Sequence, residues 1–379
     1  MSATAAAPAA RPPGVLQQLL DRFDPHVIDV RGGRARIRLD VSDGDSWDVL
    51  LRGPHAWLEP PLERVNPDAL LSADTATWDR VARDLRGGMD AFRRGRLRVR
   101  TNLHLGVGFL AATSGMTDPA RLRFESVDTS AGRLSTMQAG AGPPVLAIHG
   151  LGGTKASFLP TIAALAGSHR VIAVDLPGFG ESDKPIAAPY DAPWFARAVT
   201  GLLDALGIER AALWGHSDGA VIAAWAAILH PERIGALVLE ALHFFAAKTS
   251  SIPFFEMAIE APHRFGPAVV NALERDHGEG WRTVIAAGGR AWLDIIGRGR
   301  ERGGDLFDGR LGEVRAPTLL LHGRRDPRTE PGEIEAAVAA LTPAGARCEL
   351  LDAGHSPHTS AAAATRCVEL ASAFLAELE

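Results

Sequence analysis

Residues 215–219 read Gly-His-Ser-Asp-Gly, a serine framed by two glycines. They follow an apolar run ending at Trp214 and open an alanine-rich stretch that reads as a helix through Leu229. A serine on a sharp turn between strand and helix holds its hydroxyl clear of the backbone, where it can attack a carbonyl carbon. The flanking glycines fit a turn whose neighbouring segments pass too close for side chains. Serine alone is a weak nucleophile and needs a base within hydrogen-bond reach, itself oriented by a third group. His355, in Gly354-His355-Ser356, follows the apolar stretch ending at Leu351 and is the candidate base. Asp326 follows Leu319-Leu-Leu-His-Gly-Arg-Arg and is the candidate acid, with Glu240, at the end of Ala236-Leu-Val-Leu239, as the alternative. The acid would hold the imidazole tautomer and stabilise the imidazolium. His149-Gly-Leu-Gly-Gly153 follows another apolar run. The backbone N–H groups of Leu151 and Asp218 are the candidate donors to an oxyanion. The Asp218 side chain is an anomaly, because a carboxylate beside a developing oxyanion is unfavourable. It must turn away, be paired, or have a role of its own.

These residues need a rigid frame. Apolar runs at residues 145–148, 171–174, 211–214, 236–239 and 318–321 suit strands buried on both faces of a parallel sheet. Helical patterns lie between them. One is capped by Asp191, carries Phe195, Val199, Leu202, Leu203 and Leu206 on one face, and stops at Gly207. The alternation predicts a mostly parallel, doubly wound α/β sheet over residues 120–379. Residues 244–311 interrupt it with aromatics, glycine and charge, and are expected to form a lid. Gly150, His216, Phe244, Phe245, Phe254, Phe255 and Trp281 are expected to line the substrate pocket.

The first hundred residues have a different pattern. Residues 1–13 are rich in Ala and Pro and are expected to be a disordered tail rather than a signal peptide. Within 14–115, Val15, Leu16, Leu19, Leu20 and Phe23 share a helical face, and Ala35, Ile37, Leu39 and Val41 alternate as a strand. Further strands are predicted around 47–51 and 97–99, and a helix over 75–94. This is an α+β layout.

Taken together, HGLGG, DLPGFGESDKP at 175–185, GHSDG, LHGRRDP and AGHSPH resemble the α/β-hydrolase superfamily over residues 120–379. Serine at the elbow differs from the haloalkane dehalogenases and epoxide hydrolases of that superfamily, which form an ester through Asp. The resemblance implies a serine hydrolase of an ester, thioester or related acyl bond in a hydrophobic substrate, with no cofactor. The same triad serves carbon–carbon bond hydrolases and acyltransferases, and a non-catalytic lipid carrier or sensor is the reading from another class. Residues 69–78, 89–92 and 95–99 resemble, more weakly, the sterol-carrier lipid-binding family, which implies a lipid ligand in the N-terminal domain.

Bulk composition narrows the partners. A formal net charge of −5 gives no global sign of nucleic-acid binding. Residues 79–100 carry a local net charge of +5, from eight arginines and three aspartates, which suits peripheral contact with an anionic membrane surface. The longest apolar run, residues 220–229, is too short to span a bilayer. Two cysteines fit a reducing, cytoplasmic setting without a disulfide framework, and no Cys or His cluster has metal-ligand spacing.

Overall fold

The computed structural model describes residues 12–62, 64–83, 91, 95–114, 121–246, 248, 251–278, 280–301, 304–360 and 362–378. The chain forms two compact units, Met1–Phe124 and Glu125–Glu379. The tail at 1–11, most of 84–94 and the connection at 115–120 lie outside the described residues, as does much of the basic stretch.

The first unit is built on strands β1 (Arg34–Val41), β2 (Trp47–Arg52), β3 (His55–Glu59), β4 (Ala69–Ala73) and β5 (Arg98–Arg100), in the order β3-β2-β1-β4-β5. β1 pairs antiparallel with β2 and parallel with β4. Alternation puts Ile37, Leu39 and Val41 in the core. Arg36 and Arg38, on the opposite face, clasp the buried Asp48 carboxylate at 2.8 and 2.7 Å. Helices α1 (Gly14–Leu20), α2 (Thr75–Arg83) and α3 (Leu103–Ala112) complete the unit, with Trp78 and Phe109 fully buried. The unit ends later than the composition predicts. Phe124 is buried and its N–H donates to Val27 O at 2.9 Å, so the boundary falls inside strand β6 (Arg123–Thr129).

The second unit adds β7 (Gly132–Ala139), β8 (Pro144–Ile148), β9 (Arg170–Val174), β10 (Ala211–His216), β11 (Ile234–Glu240), β12 (Thr318–Gly323) and β13 (Arg347–Leu351). The sheet order is β13-β12-β11-β10-β8-β9-β7-β6. Strands β8 to β13 pair in parallel, and β7 joins antiparallel to β9. Helices α4 (Leu159–Leu165), α5 (Ala192–Ala205) and α6 (Asp218–Leu229) precede an inserted helical block, α7 (Ile252–Glu260), α8 (Pro267–His277) and α9 (Trp281–Glu301). α10 (Glu333–Ala340) and α11 (Ala364–Ala376) follow. The Asp191 carboxylate accepts from Trp194 N at 2.8 Å and starts α5. The chain leaves β8 toward β9 on one side, and β10 lies on the other. The crevice at their carboxyl ends is where such sheets place ligands. No helix among the described residues is long and apolar enough to cross a membrane.

Candidate active site

Ser217 joins β10 to α6 with φ 56° and ψ −118°, a conformation that costs a non-glycine residue of order 1–3 kcal/mol. Two features hold it there. Ser217 N–H donates to Glu240 O at 2.9 Å, tying the turn to the neighbouring strand. The flanking glycines allow the close approach. A Cβ on Gly215 would lie 2.1 Å from Gly219 O, and one on Gly219 would lie 2.1 Å from Ile148 O.

His355 and Asp326 converge on this serine from loops after β13 and β12. His355 Nε2 lies 2.9 Å from Ser217 Oγ, and its Nδ1 lies 2.8 Å from Asp326 Oδ2. Burial pushes the Asp326 carboxyl up, but the hydrogen bond and charge of His355 more than offset it and hold it down at about 2. An ionised Asp326 accepts from Nδ1–H, which leaves Nε2 free to take the Oγ proton.

The alternative acid is engaged elsewhere. Glu240 Oε1 accepts from His358 N at 2.9 Å and faces His358 Nδ1 at 2.8 Å, and Oε2 accepts from Trp214 Nε1 at 3.0 Å. Burial raises this carboxyl, and His358 brings it down to about 2. His216, expected in the pocket, faces the same buried network. Its Nε2 sits 3.0 Å from His355 O and 3.1 Å from Ser356 Oγ, so it braces the loop that carries the base. His216, Glu240 and His358 place potential ligand atoms within 4.8 Å of one another, a juxtaposition that spacing alone did not suggest.

Leu151 and Asp218 both line a cavity of about 340 Å³ beside Ser217. Asp218 is the first residue of α6, where backbone N–H groups have no intrahelical acceptor and the helix dipole favours negative charge. The loop carrying Leu151 is fixed by His149. Its Nε2 accepts from Leu176 N at 3.0 Å, so its Nδ1–H must donate to Gly150 O, 2.8 Å away. Burial lowers the His149 pKa to about 4, which keeps that neutral tautomer. From the inserted helices, His277 bridges Gly180 N and Gly152 O at 2.8 and 3.0 Å.

The cavity wall holds three of the seven expected pocket residues. Phe245, Phe254 and Phe255 line it, whereas Phe244 and Trp281 do not. Phe244 stacks on Phe307, and its N–H donates to Glu333 Oε1. Trp281 is fully buried in the core. Trp292, stacked flat on Phe255 at 5.4 Å, takes the wall position instead. Gly150 lies against Ser217, since a Cβ there would meet Ser217 Cβ at 3.0 Å.

The Asp218 side chain is paired. Its Oδ2 accepts from Trp292 Nε1 at 3.0 Å. Desolvation raises this carboxyl to about 7, against the opposing pull of Trp292 and Arg328. Below that pH the protonated group adds no charge near an oxyanion, and above it the carboxylate does. The expected result is a fall in kcat/KM above about pH 7 that disappears in Asp218→Asn. A pH–rate profile checks this, and an unchanged alkaline fall in the variant contradicts it.

A further residue, beside the nucleophile, escaped the sequence reading. His243 Nε2 lies 3.3 Å from Ser217 Oγ, and its ring stacks on His355 at 5.5 Å with an interplanar angle of 14°. Ala241, at φ 50°, turns the chain at the end of β11 just before it.

This fold and site define a class, the α/β hydrolases with a serine at the nucleophile elbow. Residues 143–295 match the family described as alpha/beta hydrolase fold, and the second unit has that fold. It is 44% identical over 110 residues to the 2-hydroxymuconate semialdehyde hydrolase of Pseudomonas sp. (strain CF600), covering 28% of this chain and 39% of that protein. It is 36% identical over 134 residues to epoxide hydrolase 3 of Siraitia grosvenorii, covering 35% of this chain and 42% of that protein. The chain thus spans about two fifths of the length of these curated relatives. A solved membrane phospholipase A, a bacterial virulence factor, is 28% identical with a TM-score of 0.56, over 68% of this chain and 87% of that one.

Proposed function

We propose that the second unit is a serine hydrolase cleaving an ester, thioester or related acyl bond of a hydrophobic substrate. The observation that carries this reading is the hydrogen-bonded chain from Ser217 through His355 to Asp326, opening on an aromatic-walled cavity. Ser217 Oγ attacks the carbonyl while His355 Nε2 takes its proton, and the N–H groups of Leu151 and Asp218 receive the oxyanion. His355 returns the proton to the leaving group, and water, deprotonated by the same nitrogen, releases the acid. The likeness to a membrane phospholipase A supports an acyl-ester substrate. A panel of p-nitrophenyl esters of increasing chain length tests it. Turnover is expected to favour acyl chains that fill the cavity, and no turnover of any member contradicts the ester reading.

A second reading is carbon–carbon bond hydrolysis with the same triad, favoured by the identity to 2-hydroxymuconate semialdehyde hydrolase. Turnover of a vinylogous 1,5-diketone but of no ester would select it. For the first unit the proposal is lipid binding, supported by the resemblance of residues 69–78 and 95–99 to sterol-carrier domains. Saturable binding of a fluorescent fatty acid that survives blockade of Ser217 supports it, and its absence removes it.

A further inference from the structure

Ser217 Oγ faces two imidazole nitrogens, His355 Nε2 at 2.9 Å and His243 Nε2 at 3.3 Å. A hydroxyl has one hydrogen to give. His355 Nδ1 is committed to Asp326, so His355 Nε2 is the acceptor of the Oγ proton. The contact from His243 can then be a hydrogen bond only if His243 Nε2 carries a hydrogen and donates it. Burial, with Lys248 and His355 nearby, keeps His243 well below the ordinary histidine range, so the ring is neutral. Neutrality matters because the two rings are stacked. A cationic His243 would oppose the imidazolium that His355 becomes during each proton transfer.

The serine oxygen differs as an acceptor along the reaction. As a free hydroxyl, or as the departing alkoxide, it is a good one. As the ester oxygen of an acyl-enzyme it is a poor one, because its lone pair is delocalised into the carbonyl. A donor fixed on Oγ therefore binds the acyl-enzyme less well than the state in which the C–Oγ bond is breaking. Only interactions stronger in the transition state accelerate a step.

We propose that His243 is a catalytic residue, the neutral N–H donor that stabilises Ser217 Oγ as it leaves the acyl group. It rests on the serine-hydrolase reading above. In the step concerned, water attacks the acyl carbon and gives a proton to His355 Nε2. The tetrahedral intermediate then collapses and the C–Oγ bond breaks, with its electron pair passing to Oγ. Oγ takes the proton back from His355 Nε2. His243 keeps its own proton throughout and lends only the hydrogen bond. The acid departs and the serine is restored.

The test compares His243→Phe, which keeps the ring volume and the stack, with His243→Gln, whose side-chain amide keeps a donor. Both are read against wild type on p-nitrophenyl butyrate by stopped flow and by intact mass. His243→Phe is expected to release its first p-nitrophenolate at near the wild-type rate and then stall. Steady-state kcat should fall about 100-fold, the lower end of the scale for one lost donor at a reacting oxygen, with KM falling alongside and a butyryl adduct accumulating on the protein. His243→Gln should recover most of the rate. Two results overturn the proposal: deacylation by His243→Phe at the wild-type rate, or loss of the first turnover without any adduct at unchanged melting temperature. Failure of the underlying reading looks different, since Ser217→Ala would then turn over the ester as fast as wild type.

Discussion

Ser217→Ala is expected to abolish turnover of any substrate the second unit hydrolyses, with kcat falling about 10⁴- to 10⁶-fold. The size follows from the geometry. Alanine removes the atom that both attacks the carbonyl and receives the contacts from His355 and His243. What remains is the cavity and the backbone N–H groups proposed as oxyanion donors, which would give only residual catalysis over water. The hydroxyl makes no bond on which the fold depends, because the turn is held by the Ser217 N–H bond to Glu240 O and by the flanking glycines. Steady-state kinetics with a melting curve on the same sample checks this. A kcat within about tenfold of wild type would sink the assignment, since losses of a triad member are far larger.

The second large effect is at the acid. Asp326→Asn keeps the shape but presents an amide N–H or a neutral oxygen to His355 Nδ1. An Asn that donates to Nδ1 places the imidazole proton on Nε2, where it blocks transfer from Ser217. A loss of about 10⁴ in kcat is the expected scale for such a tautomer change. Glu240→Gln supplies the contrast. Glu240 touches Trp214 and His358 rather than His355, so its amide should lower the melting temperature and leave kcat within about tenfold. If Glu240→Gln does the greater harm to kcat at equal stability, the two carboxylates have exchanged roles.

The elbow and the candidate base and acid were legible because each sits just past an apolar run, and such runs become parallel strands whose carboxyl ends meet at one edge of the sheet. Register completes the picture. β10 pairs with β11 so that His216 lies beside Glu240, which brings whatever follows Glu240 next to Ser217. That register was the signal that could have found His243. In the sequence it is a lone histidine just before the expected lid. The pocket was less legible for a related reason. Aromatic type marked Phe244 and Trp281, but type does not say which way a residue faces. Trp281 is buried in the core, while Trp292, about three turns further along the same helix, reaches Asp218. Strands β6 and β7 escaped because Arg123–Thr129 is half-exposed and polar, and neither is a continuous apolar run. The unit boundary moved with them, since Phe124 is an apolar residue that the first unit buries.

The most direct test of the account is covalent. Treating the native protein with a fluorophosphonate and measuring intact mass and peptide masses asks whether Ser217 is an activated nucleophile, without needing the substrate. The expected result is one phosphonyl adduct, on Ser217, that is lost in Ser217→Ala and suppressed in Asp326→Asn. No adduct on the folded wild-type protein, or equal labelling of Ser217→Ala, would contradict the central claim.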